Sequence, residues 1–165
     1  MVYNTEESYS GMLRQTAEGR RGMHMMKSEE RMKSFIKKQK VAFLASVDMN
    51  GYPNMKAMLR PRKIEGIKTF YFSTNTSSMR VSQYRENPKA SVYFYHKGLL
   101  KYEGVMLTGK MEILTEASIK RELWRTGDRI FYSKGATDPD YCVLKFTADE
   151  GRYYCDLKTE SFPVT

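Results

Sequence analysis

The chain has little of what most quickly assigns a sequence. Its 165 residues include two cysteines and two histidines, too few for a disulfide framework or a zinc site. His24 and His96 are far apart, and neither stands beside a cysteine, so no metal is expected. No apolar run is long enough to span a bilayer. Residues 1–22 are polar and lack the apolar core of a secretory signal, so a cytoplasmic protein is expected. Cys142 and Cys155 are then expected reduced, although they fall in two predicted strands that could pair. No internal repeat, low-complexity segment or catalytic triad stands out. Acidic residues are also in short supply, 19 against 28 Lys and Arg, for a formal charge of +9. That excess suits an anionic partner, either nucleic acid or a phosphorylated cofactor. Much of it lies in residues 14–40, where a solvated basic face is the plainer alternative.

What is present is enough for one domain with a real core. Residues 1–26 read as a polar arm and residues 27–165 as the domain. Lys27–Lys40 reads as a helix with Ser28 as N-cap, and Met32, Phe35 and Ile36 form an apolar face that packs on a sheet. Val41–Val47 is an apolar strand. Asp48-Met49-Asn50-Gly51 makes a hairpin turn, and Tyr52–Arg60 returns, ending at Pro61. Lys68–Ser73, Lys89–Tyr95, Tyr102–Leu114, Tyr141–Phe146 and Arg152–Leu157 are further strands, the last two joined by a turn at Asp149-Glu150-Gly151. In Tyr102–Leu114, Val105, Leu107, Gly109, Met111 and Ile113 alternate toward the core, with a bulge or bend at Gly109. Thr115 caps a helix through Trp124 that stops at Gly127. Strands joined by hairpins are antiparallel, and a closed antiparallel barrel with peripheral helices fits this order.

The segment Lys56–Tyr95 carries the chemistry. A strand bearing Lys56, Arg60 and Arg62 precedes an apolar strand. That strand ends in Ser73-Thr74-Asn75-Thr76-Ser77-Ser78, which opens a short helix carrying Arg80. The first N–H groups of a helix lack intrahelical partners, and the peptide dipoles add positive charge there, so an anion binds readily. The hydroxyls and the Arg80 guanidinium could serve a phosphate. An ordinary N-capped helix reads the same way, and the residues alone leave both open.

Phe72-Ser73-Thr74-Asn75-Thr76-Ser77-Ser78-Met79-Arg80, then Asn87-Pro88, a strand, and Gly109-Lys110-Met111-Glu112 resemble the pyridoxamine 5′-phosphate oxidase-like FMN-binding split barrels. The hairpin from Val41 through Gly51 and Pro53 resembles the family's opening hairpin. The resemblance implies a mainly β fold, a six-stranded antiparallel split β-barrel (Greek key) with peripheral short helices. It also implies a homodimer with FMN at the subunit interface. Carried over by position, Lys56, Ala57, Met58, Leu59 and Arg60 line the flavin and ribityl chain, and Ser73, Thr74 and Asn75 form the strand end beside it. Ser78, Met79 and Arg80 form the phosphate turn. The family oxidase has two consecutive cations where Met79-Arg80 stands here, and Arg62 could replace the missing one. Its glutamine on the strand matching Glu103–Val105 is absent, as is its C-terminal substrate motif. The chain therefore resembles the general-stress and nitroimidazole-resistance branch. The activity implied is that of an FMN-dependent oxidoreductase using a small-molecule electron donor or acceptor. Lys56 is the candidate donor to the flavin, and no catalytic residue is assigned. A non-enzymatic flavin or haem carrier or sensor, and a basic nucleic-acid-binding barrel, are the alternatives.

Overall fold

A computed structural model describes residues 29–99 and 102–164. The expected arm and the Ser28 cap lie outside the described residues. The described part of helix α1 spans residues 29–38. Its Met32, Phe35 and Ile36 are buried, so the 3.6-residue stripe packs into the core as its spacing requires.

Eight antiparallel strands form one sheet. They are β1 (Val41–Val47), β2 (Pro53–Leu59), β3 (Lys63–Glu65), β4 (Thr69–Asn75), β5 (Lys89–Lys97), β6 (Tyr102–Leu114), β7 (Tyr141–Cys155) and β8 (Lys158–Pro163). The order is β2-β1-β5-β6-β7-β4-β3, with β8 beside β7. Helix α2 (Met79–Glu86) joins β4 to β5. Helix α3 (Ala117–Leu123) and two 3₁₀ turns (Thr126–Ile130 and Gly135–Thr137) fill the β6–β7 connection. The architecture is the split antiparallel barrel expected, with eight strands rather than six. The extra ones are the three-residue β3 and the C-terminal β8.

Pro61 marks the split. Arg60 N–H still donates to Lys40 on the β1 side, whereas Arg62 N–H donates to Tyr71 of β4. The proline between them has no donor to give, and there the chain leaves one strand partner and takes another.

Strand β7 corrects two expectations. Asp149-Glu150-Gly151 is not a hairpin turn. The strand runs through it, and the register against β6 shifts between Thr108 and Gly109, leaving Asp149 unpaired. This is the bulge foreseen at Gly109. A Cβ there would meet the Thr147 carbonyl at 2.0 Å, so only glycine lets the strands approach this closely. Cys142 and Cys155 stand near opposite ends of this one strand, much farther apart than the ~6 Å Cα separation a disulfide bridges. Both are free thiols. Because β7 is long, β4 pairs with its first half and β8 with its second.

Two apolar clusters result. Inside the barrel lie Leu44, Phe70, Phe72, Val92, Phe94, Val105, Leu107, Leu144 and Phe146, closed by α1 and by Val81 and Tyr84 of α2. On the other face of β4 and β7, Tyr71, Tyr141, Val143 and Tyr132 pack with Leu123 and Trp124. Helix α3 is shorter than its periodicity suggests. Glu116, not Thr115, precedes it, and it ends at Leu123. Gly127 lies inside the first 3₁₀ turn rather than acting as a stop.

Candidate functional site

The alternation of β2 divides its side chains. Met58 and Lys56 pair across the ladder with Ala42 and Leu44, both fully buried, so these two and Arg60 share the barrel-side face. Ala57 and Leu59 point the other way. Met58 sits between the two cations, and Arg80 of α2 reaches it from above, with Nη1 3.0 Å from Met58 Sδ.

Arg80 is the unusual member. It is 9% exposed, and burial pushes its guanidinium below the ordinary arginine value. Among the described residues no carboxylate lies within ion-pair distance of Arg80, Lys56 or Arg60. A desolvated cation facing a thioether is unfavourable unless something compensates it.

The start of α2 lies beside it. Ser78 occupies the N-cap position with extended backbone, yet its side chain makes no capping bond. Its Oγ is buried with no partner, as is Thr76 Oγ1. Both hydroxyls thus stand at the head of α2 without a bond. The ordinary capped helix foreseen as the alternative is therefore absent. A buried hydroxyl without a bond costs on the order of 1–3 kcal/mol, and the open first turn adds unpaired N–H groups. Arg80, Ser78 and this turn thus bring a buried cation, an unbonded hydroxyl and helix-start N–H groups to one end of α2.

The helix is firmly seated. Ser46 Oγ donates to Gln83 Oε1 at 2.6 Å, and Tyr84 OH donates to the Ala45 carbonyl at 3.2 Å. The Tyr84 phenol is pushed up to about 12, chiefly by burial.

The other expected residues fall elsewhere. Thr74 is buried and its carbonyl accepts the Cys142 thiol. Ser73 turns to the second cluster, where its hydroxyl bonds Tyr141 OH at 3.2 Å. Arg62, expected as a further phosphate contact, is engaged by Asp128 at 2.5 Å, with both side chains largely buried. That pair ties the first 3₁₀ turn to the β2–β3 crossover. Asn75 donates to Asp140 and accepts from Tyr132. Met79 is exposed at the helix start. Asp128, Tyr132 and Asp140 were not foreseen, since nothing in their local spacing shows that a loop some 60 residues on returns to this turn.

The outer face of the sheet is a second feature. Val41, Met55 and Leu59 are exposed there, and Phe43, Met55, Tyr93, Met106 and Tyr154 line a shallow hollow of about 250 Å³. No helix among the described residues is long and apolar enough to cross a membrane.

A family model described as pyridoxamine 5′-phosphate oxidase matches residues 28–155. Among solved structures, a Clostridium acetobutylicum protein related to general stress protein 26 of B. subtilis (pyridoxinephosphate oxidase family) is 38% identical with a TM-score of 0.74. The alignment covers 84% of this chain and 95% of that one. A NimC/NimA family protein from Clostridium acetobutylicum is 23% identical with a TM-score of 0.64, covering 83% and 94%. A heme binding protein from Mycobacterium smegmatis is 14% identical with a TM-score of 0.62, covering 78% and 55%. The last two likenesses concern the fold alone. Comparison with curated proteins gave no match.

Proposed function

The chain belongs to the pyridoxamine 5′-phosphate oxidase family, and from that premise we propose that it is an FMN-binding flavoprotein. We further infer an FMN-dependent oxidoreductase working with a small-molecule electron donor or acceptor. The observation that carries this is the pairing of a buried hydroxyl, Ser78, that has no partner among the described residues with a buried guanidinium, Arg80, that has no carboxylate among them. A phosphate monoester supplies what both lack, a dianion with several acceptor oxygens.

Bound FMN would supply the hydride or electron chemistry. The chain's own residues hold and tune it. Arg80, Ser78 and the open N–H groups of α2 bind the phosphate. Arg60 adds positive charge along the same strand face, and Lys56 is assigned to the polar edge of the ring system, where a cation favours an electron-rich ring. The main-chain groups of Lys56–Leu59 belong to β2, an edge strand among the described residues, and the outer N–H and C=O groups of an edge strand can bond a ligand.

A homodimer accompanies this reading. Exposed Val41, Met55 and Leu59 on one sheet face, beside the hollow at Phe43 and Tyr93, form the kind of apolar surface that a second copy covers. A cytoplasmic location agrees with two unpaired thiols. Haem carriage rests on fold likeness alone and is not adopted.

The test is direct. Purified protein titrated with FMN should quench flavin fluorescence at one FMN per chain. Anaerobic NADH or NADPH should then bleach the flavin bands, and air should restore them. Binding without bleaching by any donor leaves a carrier. No binding at excess FMN overturns the reading.

A further inference from the structure

Asp140 immediately precedes β7 and grips three consecutive residues of the turn before α2. Its Oδ2 accepts Asn75 Nδ2 at 2.9 Å, its Oδ1 accepts Ser77 N–H at 2.7 Å, and its carbonyl accepts Thr76 N–H at 2.8 Å. The next donor, Ser78 N–H, closes the turn on the Asn75 carbonyl at 3.1 Å. The N–H groups of Thr76, Ser77 and Ser78 are thus all used inside the protein. Those left for an incoming anion begin at Met79, with the Ser78 hydroxyl and Arg80 beside them.

Asp140 is itself anchored. Its N–H donates to Asp138 Oδ1 at 3.0 Å. The Asp138 carbonyl accepts Lys120 Nζ at 2.7 Å, and Lys120 is buried. Asn75 carries the connection onward by accepting the Tyr132 hydroxyl at 3.3 Å. The turn is therefore held by α3 and the β6–β7 connection as well as by its own Ser78–Asn75 bond. The bonds from Asn75 and Ser77 hold the Asp140 carboxyl below the usual carboxylate range, so it is ionised at neutral pH and its bonds are charge-assisted.

We propose that Asp140 is a positioning residue for phosphate recognition, fixing the Asn75–Ser78 turn so that Ser78, Arg80 and the first N–H groups of α2 converge on the phosphate of the flavin. This rests on the reading above. The role is specific to the phosphate end, because the hydrogen bonds of the Asp140 carboxylate go to Asn75 and Ser77 of the turn.

The experiment compares FMN with riboflavin, which has the same ring and no phosphate, by fluorescence titration of the wild type, Asp140→Asn and Asp140→Ala, with melting temperatures alongside. The wild type should prefer FMN. Asp140→Ala should weaken FMN on the order of tenfold and leave riboflavin affinity within about twofold. Asp140→Asn keeps one acceptor oxygen for Ser77 and the backbone bond to Thr76. It should fold as the wild type does and lose less FMN affinity than Asp140→Ala. If Asp140→Ala does not fold, Asp140→Asn decides, with a selective loss of FMN over riboflavin supporting the role. Tighter FMN binding by Asp140→Asn would make the carboxylate a mere repelling charge and overturn the proposal. Parallel losses for both flavins, or no loss, also overturn it while leaving the FMN site intact. A wild type that binds FMN and riboflavin equally, or neither, refutes the phosphate site itself and Asp140's role with it.

Discussion

Arg80 meets Met58, not a carboxylate, with its Nη1 3.0 Å from the thioether sulfur. A buried guanidinium usually finds a carboxylate, because leaving it bare costs several kcal/mol. Here the nearest acceptor is the weakest the side-chain repertoire offers. No carboxylate among the described residues completes this cation, and that makes Arg80 the most informative residue to change.

Arg80→Met should separate binding from stability. FMN affinity should fall by about 1.5–3 kcal/mol, the range for a lost charged hydrogen bond. The apoprotein should melt no lower than the wild type, since a desolvated charge has been replaced by an apolar chain. Fluorescence titration and thermal melting of the flavin-free protein check both halves. A lower apo melting temperature with unchanged affinity would make Arg80 a packing residue.

Ser78→Ala tests the same point more gently. Its hydroxyl caps nothing, so removing it should not lower apo stability and should relieve the cost of an unbonded buried hydroxyl, on the order of 1–3 kcal/mol, whereas losing a working cap costs ~1 kcal/mol. FMN affinity should drop by about 0.5–1.5 kcal/mol. Loss of stability with no change in affinity would restore the role of helix cap.

Arg62 should behave in the opposite way to Arg80. It shares a buried pair with Asp128. Asp128→Ala leaves the guanidinium uncompensated and should destabilise the fold by about 3–5 kcal/mol. Arg62→Ala should lower the melting temperature and change FMN affinity by less than twofold. A large loss of affinity in Arg62→Ala, with stability retained, would place it on the phosphate after all.

High pH should unfold the protein through its buried phenols. Tyr84 and Tyr132 are both raised to about 12 by burial. In the unfolded chain they ionise near 10, so above that pH the unfolded state binds fewer protons. Their contribution is complete below about pH 10 and is lost between about 10 and 12. Melting temperatures from pH 8 to 12 should show that fall, and Tyr84→Phe should make it shallower. Equal slopes for the two proteins would remove Tyr84 from the account.

Much of the barrel could be read from local pattern. The stripe of Met32, Phe35 and Ile36, the Asn50-Gly51 turn and the alternation of Val105, Leu107 and Met111 are short-range signals, and each led to the observed element. The β7 strand was misread because Asp149-Glu150-Gly151 has turn composition. Pairing with β6 carries the chain through it as a bulge, and that is a long-range effect. The short β3 and β8 were missed for a related reason. Their periodicity is too brief to register, and their partners, β4 and β7, hold them in place.

The site divides along the same line. The order of residues from Ser73 to Arg80 determined that an anion could be met at the head of a helix, because hydroxyls, open N–H groups and a guanidinium are neighbours there in the chain. The tertiary structure decided which of those groups remain available. Folding gave Arg62 to Asp128, Ser73 to Tyr141 and Asn75 to Asp140 and, among the described residues, left the Ser78 hydroxyl without a bond and Arg80 without a carboxylate. A side chain's free valences depend on what the fold brings within 3 Å of it, and separations of some 60 residues leave no trace in local spacing.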